Sequence, residues 1–300
     1  MRIRRHRSRA VLAVVAAAVV GAAGCSGGGD SGGAHSKSDT ATKAKPSPTP
    51  VWDRSPSSIA AVGDSITRGF DACSVLSDCP EVSWATGSSA SVDSLAVRLL
   101  GKTGAAERSW NYAETGARMA DLPAQIGQAA ARKPQLVTVM VGANDACAAS
   151  TSAMTSVAEF RAAFEDSLKS LRRALPKTQV YVASVPNLKR LWSQGRTNPL
   201  GKEVWKLGIC PSMLADADAL DSAATERRDT VLDRVEAYNK VLEQVCATDE
   251  RCRFDGGAVY DYRFGTDQLS HWDWFHPSTD GQARLAEIAY RHVIARTPVT

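Results

Sequence analysis

Short runs that are almost entirely apolar recur along this chain, and amphipathic segments separate them. The clearest runs are Ile59–Val62, Gln135–Gly142 and a third that begins at Gln179. A strand with one solvated face alternates apolar and polar residues, whereas a strand in a parallel sheet is covered on both faces and is apolar throughout. The segments between these runs, such as Val157–Leu175, have apolar residues at helical spacing. The chain is therefore predicted to fold as an α/β domain with a mostly parallel sheet.

Further segments continue this alternation of strands and helices. Gly101 provides a natural stop for the helix that is predicted at Ser91–Leu100. The additional helices are predicted at Ser91–Leu100, Ala120–Arg132, Thr225–Cys246 and Asp280–Ala295, and the additional short strands at Arg108–Tyr112 and Ala258–Tyr262.

Residues 1–24 have the features of an export signal. A basic start is followed by an apolar segment, Ala10–Ala23, which is too short to span a bilayer as a mature helix. The sequence Ala22-Ala23-Gly24-Cys25 resembles a bacterial lipobox, which implies that Cys25 is acylated. We therefore expect an extracytoplasmic protein, either a cell-membrane lipoprotein or a freely secreted one.

Residues 25–55 are rich in Gly, Ser, Thr and Pro and are predicted to form a disordered linker. The folded domain is expected over residues 56–297, a length that suits one α/β core. Removal of the signal takes five arginines from the chain and changes the formal net charge from +4 to −1. A nearly neutral mature protein gives no support for nucleic-acid binding, and we expect a monomer.

Six cysteines remain after Cys25, an even number that suggests disulfides in an exported protein. No pair has the two-residue spacing of a zinc ribbon, so no metal site is expected. Two pairs are close neighbours in the sequence, which leaves the other two cysteines to meet. The predicted bridges are Cys73–Cys79, Cys246–Cys252 and Cys147–Cys210.

Polar residues follow three of the predicted strands, at the sheet edge where function collects in parallel sheets. Ser65 follows the first strand, Gly116 the second and Asn144 the third. A serine at this edge is either an ordinary turn residue or a nucleophile that requires a base.

The segment "HWDWFHPS" contains the two histidines that remain as candidates for this base, His271 and His276. His6 and His35 precede the folded domain, and His292 is a packed or surface residue of the last helix. Asp273 precedes His276 by three residues, a spacing at which a carboxylate can orient an imidazole. An aromatic surface loop with incidental charges is the alternative interpretation of this segment.

An oxyanion also requires hydrogen-bond donors aimed at the developing charge. The backbone N–H groups of Ser65 and Gly116 and the side-chain amide of Asn144 are the candidates. Each residue alone is more typical of a turn, and it is their order after successive strands that favours a site.

Four short blocks together resemble the SGNH hydrolases, also called GDSL-type esterases and lipases. They are "GDSITRG", "NYAETGAR", "GAND" and "DWFH". The resemblance implies a flavodoxin-like three-layer α/β/α sandwich and catalysis by Ser65, His276 and Asp273 without a metal or organic cofactor. It implies an oxyanion hole of Ser65, Gly116 and Asn144. Asp64 is not assigned a catalytic role, and we expect it only to shape the turn before the serine.

The substrate is less well defined by the sequence. "NDAC" and "ICPSM" are similar to stretches of phospholipase-B-like members and actinobacterial secreted lipases, which favours an acyl or lipid ester. A carbohydrate O-acetyl esterase and a catalytically inactive surface-binding lipoprotein remain as alternatives. The insert 187–213 is predicted to be either an apolar lid or acyl groove, or a packed excursion held by a disulfide.

Overall fold

The computed structural model describes residues 51–297, and its centre is a five-stranded sheet. All neighbouring strands are parallel, and their order is β2-β1-β3-β4-β5. The strands are β1 (Ile59–Gly63), β2 (Ser109–Asn111), β3 (Leu136–Met140), β4 (Gln179–Val182) and β5 (Cys252–Phe254). Strands β1, β3 and β4 are buried at every position, as expected for a sheet covered on both faces.

Eleven α-helices accompany the sheet within residues 51–297. They are α1 (Ser65–Arg68), α2 (Leu95–Arg108), α3 (Leu122–Ala131), α4 (Ala143–Ala146), α5 (Val157–Ala174), α6 (Leu188–Gly195), α7 (Pro199–Trp205), α8 (Pro211–Leu214), α9 (Ser222–Cys246), α10 (Ala258–Asp261) and α11 (Thr279–Ile294).

The long helices form two layers. Helices α3, α5 and α9 pack together, and α2 packs on α11. The chain moves from β1 to β2 in one direction and from β2 through β3 to β5 in the other, so right-handed crossovers put α2 on the opposite face from α3, α5 and α9. This arrangement confirms the predicted three-layer α/β/α fold with a flavodoxin-like strand order.

The strand order reverses between β1 and β3, and this is the place in the fold where a binding site is expected. In open parallel sheets, ligands bind outside the carboxyl ends of the strands at such a switch point. Ser65 directly follows β1, and Asn144 follows β3. The topology thus brings two of the predicted site residues to adjacent strand ends.

One predicted strand is wrong. Residues 258–262, expected as the last strand, begin with helix α10, and the last strand of the sheet is β5. The carboxylate of Asp255 accepts hydrogen bonds from the backbone N–H groups of Gly257 and Val259, which favours a helical start at this point. The Val-Tyr pair in α10 gave the segment an apolar appearance that did not distinguish strand from helix.

The two ends of helix α2 differ most from the predicted boundaries. Helix α2 begins at Leu95 rather than Ser91, because the Ser94 hydroxyl accepts a hydrogen bond from the Val97 N–H and caps the helix. Gly101 has φ 70° and interrupts α2, but helical structure resumes and continues to Arg108. The predicted stop is therefore a break within one longer helix.

The packed part of the chain extends to Trp52, which the sequence had placed in the linker. Its side chain is buried, its Nε1 donates to the Val293 carbonyl at 2.8 Å, and the Arg253 guanidinium lies 4.2 Å from its ring centroid. The predicted export signal, the acylation site Cys25 and the linker up to residue 50 lie outside the described residues.

Three disulfides are present in the part of the chain that the structure describes. They join Cys73 to Cys79, Cys147 to Cys210 and Cys246 to Cys252, the same pairs that were chosen from the sequence. Such bridges fit an extracellular protein. Between residues 51 and 297, no helix combines the length and the apolar character that crossing a membrane requires.

Candidate active site

Ser65 is the first residue of α1 and lies at the carboxyl end of β1. The carboxylate of Asp64 caps this helix, since its Oδ1 accepts a hydrogen bond from the Ile66 N–H at 3.0 Å. Asp64 therefore shapes the turn, as the sequence predicted. The Ser65 side chain is 5% exposed, so its hydroxyl is held in a sheltered position.

The strand end before Ser65 is fixed by its neighbours. Gly63 has φ 147°, and a Cβ at this position would lie 2.1 Å from the Met140 carbonyl oxygen, so only glycine fits. The buried side chain of Gln125 donates to the Gly63 carbonyl at 2.9 Å and accepts from its N–H at 2.7 Å. These contacts hold Gly63 in one position and so fix the start of the turn that carries Asp64 and Ser65.

His276 lies beside Ser65, and Asp273 lies behind His276. The distance from Ser65 Oγ to His276 Nε2 is 2.9 Å, and His276 Nδ1 lies 2.5 Å from Asp273 Oδ2. Asp273 Oδ1 also accepts hydrogen bonds from the backbone N–H groups of Phe275 and His276, both at 2.9 Å. The three side chains therefore form a continuous hydrogen-bonded series with the geometry of a serine hydrolase triad.

The electrostatics of this series favour a charged Asp273. Burial disfavours the carboxylate, but the His276 ring and the donors around Asp273 outweigh burial and lower its pKa. Burial also favours the neutral imidazole, yet the Asp273 charge and its hydrogen bond prevail and raise the pKa of His276 above its ordinary value. His276 thus becomes a neutral base only as the pH rises above this raised pKa.

The predicted oxyanion donors line the same cavity as Ser65 and His276. Gly116 has φ 87° and belongs to the loop after β2. Asn144 lies in α4, and its Nδ2 donates one hydrogen to the Ala117 carbonyl at 2.9 Å. That bond fixes the orientation of the amide and leaves its second N–H for another acceptor.

The cavity beside Ser65 has a volume of about 240 Å³ and a largely apolar lining. The apolar side chains come from the ends of several elements and from the insert after β4. They include Ile66, Met140, Leu188, Leu191, Ile209 and Phe275. A cavity of this composition accommodates hydrocarbon rather than a strongly polar group.

The insert 187–213 combines features of both predicted alternatives. Trp192 and Trp205 are buried, and the bridge between Cys147 and Cys210 attaches the insert to the segment after α4. Several of its residues, including Ile209, form part of the cavity wall. The insert is therefore a packed excursion that also contributes one side of the cavity.

The other two histidines of the domain are not part of this arrangement. His271 is exposed and packs against Trp272, with ring centroids 4.2 Å apart. His292 is buried in α11, where its carbonyl accepts a hydrogen bond from Arg253. Neither residue is in the cavity lining.

Two groups of side chains among residues 51–297 have metal-ligand atoms within 4.8 Å of one another. The first consists of Cys73, Cys79 and Glu81, and its thiols are consumed by a disulfide. The second consists of Asp71, Asp273 and His276, in which both ring nitrogens of His276 already face other side chains. Neither donor set favours a metal.

Sequence reasoning missed two residues that contact this site. Phe70 packs its ring edge-on against His276, with centroids 5.1 Å apart. Asp71 is buried next to Asp273. Both lie in "GFDAC", just after the block "GDSITRG", and their closeness to that block was the one signal available.

Comparison with known proteins identifies the family. The model of the GDSL-like lipases and acylhydrolases matches residues 59–289, which contain the whole sheet and the site described above. The chain belongs to this family, as the four sequence blocks indicated, and it is a carboxylic ester hydrolase. No curated protein sequence matches it.

Solved structures show similar folds at low identity. A Parabacteroides merdae protein titled as a GDSL-like lipase is 18% identical, with 79% of this chain and 94% of that chain covered and a TM-score of 0.47. Phospholipase A1 of Streptomyces albidoflavus is 18% identical, with 80% and 100% covered and a TM-score of 0.44. A family two carbohydrate esterase of Clostridium thermocellum is 13% identical, with 79% and 63% covered and a TM-score of 0.45.

Proposed function

We propose that Ser65 is the nucleophile of this ester hydrolase, His276 its general base and Asp273 the residue that orients His276. The proposal rests on one observation above all, the 2.9 Å distance between Ser65 Oγ and His276 Nε2 at the wall of an apolar cavity. A base at hydrogen-bond distance from a hydroxyl, itself oriented by a third group, is the arrangement that activates a serine.

In the first half of the reaction, Ser65 Oγ attacks the ester carbonyl and its proton moves to His276 Nε2. The negative charge that forms on the carbonyl oxygen is stabilised by the N–H groups of Ser65 and Gly116 and by the Asn144 amide. The imidazolium then protonates the leaving alkoxide, and the acyl group remains on Ser65.

In the second half, a water molecule gives a proton to His276 and attacks the acyl-enzyme. Collapse of the second tetrahedral intermediate releases the carboxylic acid and returns the proton to Ser65. Asp273 stays ionised throughout and stabilises the imidazolium formed in each half.

The preferred substrate is an ester of an apolar acyl chain, such as a lipid ester. The apolar lining of the cavity supports this choice over an acetyl ester of a carbohydrate, because an acetyl group leaves most of that lining without a partner. Each buried CH₂ contributes about 0.8 kcal/mol.

Substitution of Ser65 and His276 tests the catalytic roles. We expect Ser65→Ala and His276→Ala each to lower kcat by at least about 10⁴-fold, and the double variant to be no worse, because the two residues act as a unit. His271→Ala is the matched control, since this exposed histidine lies five residues before His276. Substantial turnover by Ser65→Ala, or a severe loss in His271→Ala alone, would reject the assignment.

A series of p-nitrophenyl esters tests the substrate class with the same protein. Burial of the acyl chain predicts a rise in kcat/KM of roughly fourfold per CH₂ from acetate towards octanoate. The Ser65→Ala protein provides the blank. A maximum at acetate, together with release of acetate from acetylated xylan, would instead favour the carbohydrate esterase.

We further propose that the mature protein is a monomer tethered to the cell membrane through an acylated Cys25. The lipobox-like sequence and the polar linker support the tether, and all the proposed catalytic groups come from one chain. We expect Cys25→Ser to move the esterase activity from the membrane fraction to the supernatant. Native activity that is already free of the membrane would show that the protein is secreted without an anchor.

A further inference from the structure

A second buried carboxyl group lies behind the Asp273–His276 pair. Asp71 follows α1, is 2% exposed, and accepts a hydrogen bond at Oδ1 from the Leu76 N–H. Atoms of Asp71, Asp273 and His276 lie within 4.8 Å of one another. The steps proposed above for ester hydrolysis do not use this carboxyl group, although it is costly to bury.

The backbone holds Asp71 in this place against its conformational preference. Its φ of 56° lies in the left-handed region, which is unfavourable for a non-glycine residue. The Asp71 N–H donates to the Ser77 carbonyl at 3.0 Å, and the Ser270 hydroxyl donates to the Asp71 carbonyl at 2.6 Å. The second bond connects Asp71 directly to the loop that carries Asp273 and His276.

A carboxylate oxygen of Asp71 lies within 4.8 Å of one of Asp273, so repulsion between the two charges makes one of the groups take up a proton more readily. Asp273 accepts from three donors, the N–H groups of Phe275 and His276 and the Nδ1 of His276. The Asp71 carboxylate, by comparison, accepts mainly from one donor, the Leu76 N–H. Asp71 is therefore the carboxyl group that is protonated first as the pH falls.

We propose that Asp71 is a positioning residue that acts through Asp273 and sets the proton affinity of the His276 base. The inference rests on the proposed roles of Ser65, His276 and Asp273. When Asp71 is neutral, Asp273 is the one negative charge of this pair beside the imidazole. When Asp71 is ionised, it adds a second negative charge beside the imidazole.

The direction of the pH effect follows from these two states. Burial, followed by the charge of Asp273, raises the pKa of Asp71 to about 6. Above that pH, Asp71 is an anion, and together with Asp273 it favours the protonated form of His276. Asp64 adds to this effect once it ionises, at a pKa of about 7. Because the base must be neutral, the charge of Asp71 displaces the acid limb of the kcat/KM profile to higher pH.

Asp71→Asn tests this proposal with little change in shape. Asparagine tolerates the left-handed conformation, and its amide oxygen can still accept from the Leu76 N–H. We expect the acid limb of kcat/KM to move to lower pH by about one unit. We expect kcat on the alkaline plateau to fall by less than about tenfold, because the imidazolium loses one stabilising charge.

Two further variants control for shape and for charge. Asp71→Gly adopts the same backbone conformation freely and removes the carboxyl group, so it should shift the limb in the same direction. Asp93→Asn makes the same chemical change at an exposed aspartate that also has a positive φ, 49°, and does not line the cavity. Its profile should match that of the native protein.

The possible outcomes separate this inference from the proposed catalytic roles. A loss of kcat in Asp71→Asn at every pH, with the acid limb in its native position, would assign Asp71 a structural role and overturn the inference. A limb that moves equally in Asp93→Asn would also overturn it. The proposed catalytic roles are tested separately, by Ser65→Ala and His276→Ala in a chain with native Asp71. If either variant remains active, the catalytic assignment itself fails.

Discussion

Asn144 is the residue that tests the oxyanion hole separately from the nucleophile. We expect Asn144→Ala to lower kcat by about 10²–10³-fold, the usual cost of one lost oxyanion donor. KM should change little, because the ground-state carbonyl needs this donor less than the transition state does. Asn144→Asp should be at least as damaging, since a carboxylate repels the oxyanion.

The Asn144 amide also donates to Ala117, so its loss should cost about 1 kcal/mol of stability. Asn198→Ala is a matched control, because it removes the side-chain cap of α7 outside the cavity at a similar cost. It should lower the melting temperature without lowering kcat. Equal effects of the two variants on kcat would mean that Asn144 is a structural turn residue.

The residues of the site that could be predicted are those whose neighbours in the sequence reveal their environment. Ser65 and Asn144 each follow an apolar strand, and Asp273 and His276 lie in one loop. Asp71 was not predicted because its partners, Asp273 and the Ser270 hydroxyl, are about two hundred residues away in the chain. Nothing local distinguishes it from an ordinary turn aspartate.

Among the elements, the insert 187–213 forms one side of the cavity, so we expect it to limit the length of acyl chain that the cavity accepts. Ile209 is half-buried in the cavity wall. A larger side chain should occupy the space that the far end of a long acyl chain needs. We expect Ile209→Trp to lower kcat/KM for the octanoate ester by about tenfold or more and to leave the acetate ester within about twofold.

Leu207 is the matched control, because it lies two residues earlier in the insert and is 84% exposed. Leu207→Trp should leave the chain-length preference unchanged. An equal loss for acetate and octanoate in Ile209→Trp would mean that the substitution disturbs the catalytic groups rather than the acyl site.

The elements that the sequence did not predict correctly depend on side-chain contacts that the pattern of apolar residues does not reveal. Strand β5 contains Arg253, a residue that argues against a buried strand until its stacking on Trp52 is known. Helix α10 depends on the Asp255 carboxylate, whose bonds to nearby N–H groups compete with strand pairing. The long amphipathic helices needed no such information, since their spacing alone identifies the buried face.

For the whole molecule, the buried carboxyl groups make stability depend on pH. Burial raises the pKa of Asp64 from 3.8 to about 7, so the folded protein binds this proton more tightly than the unfolded chain does. Stability from this group is therefore present at acid pH and is lost as the pH rises towards and through 7. The loss should be on the order of 2–3 kcal/mol between pH 5 and pH 8.

Asp64→Asn should remove this dependence while retaining the cap on α1, because an amide oxygen can accept from the Ile66 N–H. The free energy of unfolding, measured with urea at pH 5 and pH 8, should fall less for the variant than for the native protein. Asp93→Asn, at an exposed site, should behave like the native protein. An unchanged pH dependence in Asp64→Asn would show that Asp64 is already ionised at no cost.

The hydrogen bond between Ser65 and His276 joins residues 211 positions apart, and this separation has a consequence for the newly made protein. Gln282 of α11 accepts from the Trp84 N–H and donates to the Ile66 carbonyl, so the last helix attaches to the first block of the domain. During synthesis, the proposed nucleophile Ser65 is therefore made long before its proposed base His276. A nascent or truncated chain that ends before His276 carries Ser65 without this base, and we expect ester hydrolysis to report that translation has passed His276 and that the last part of the domain has docked on the first.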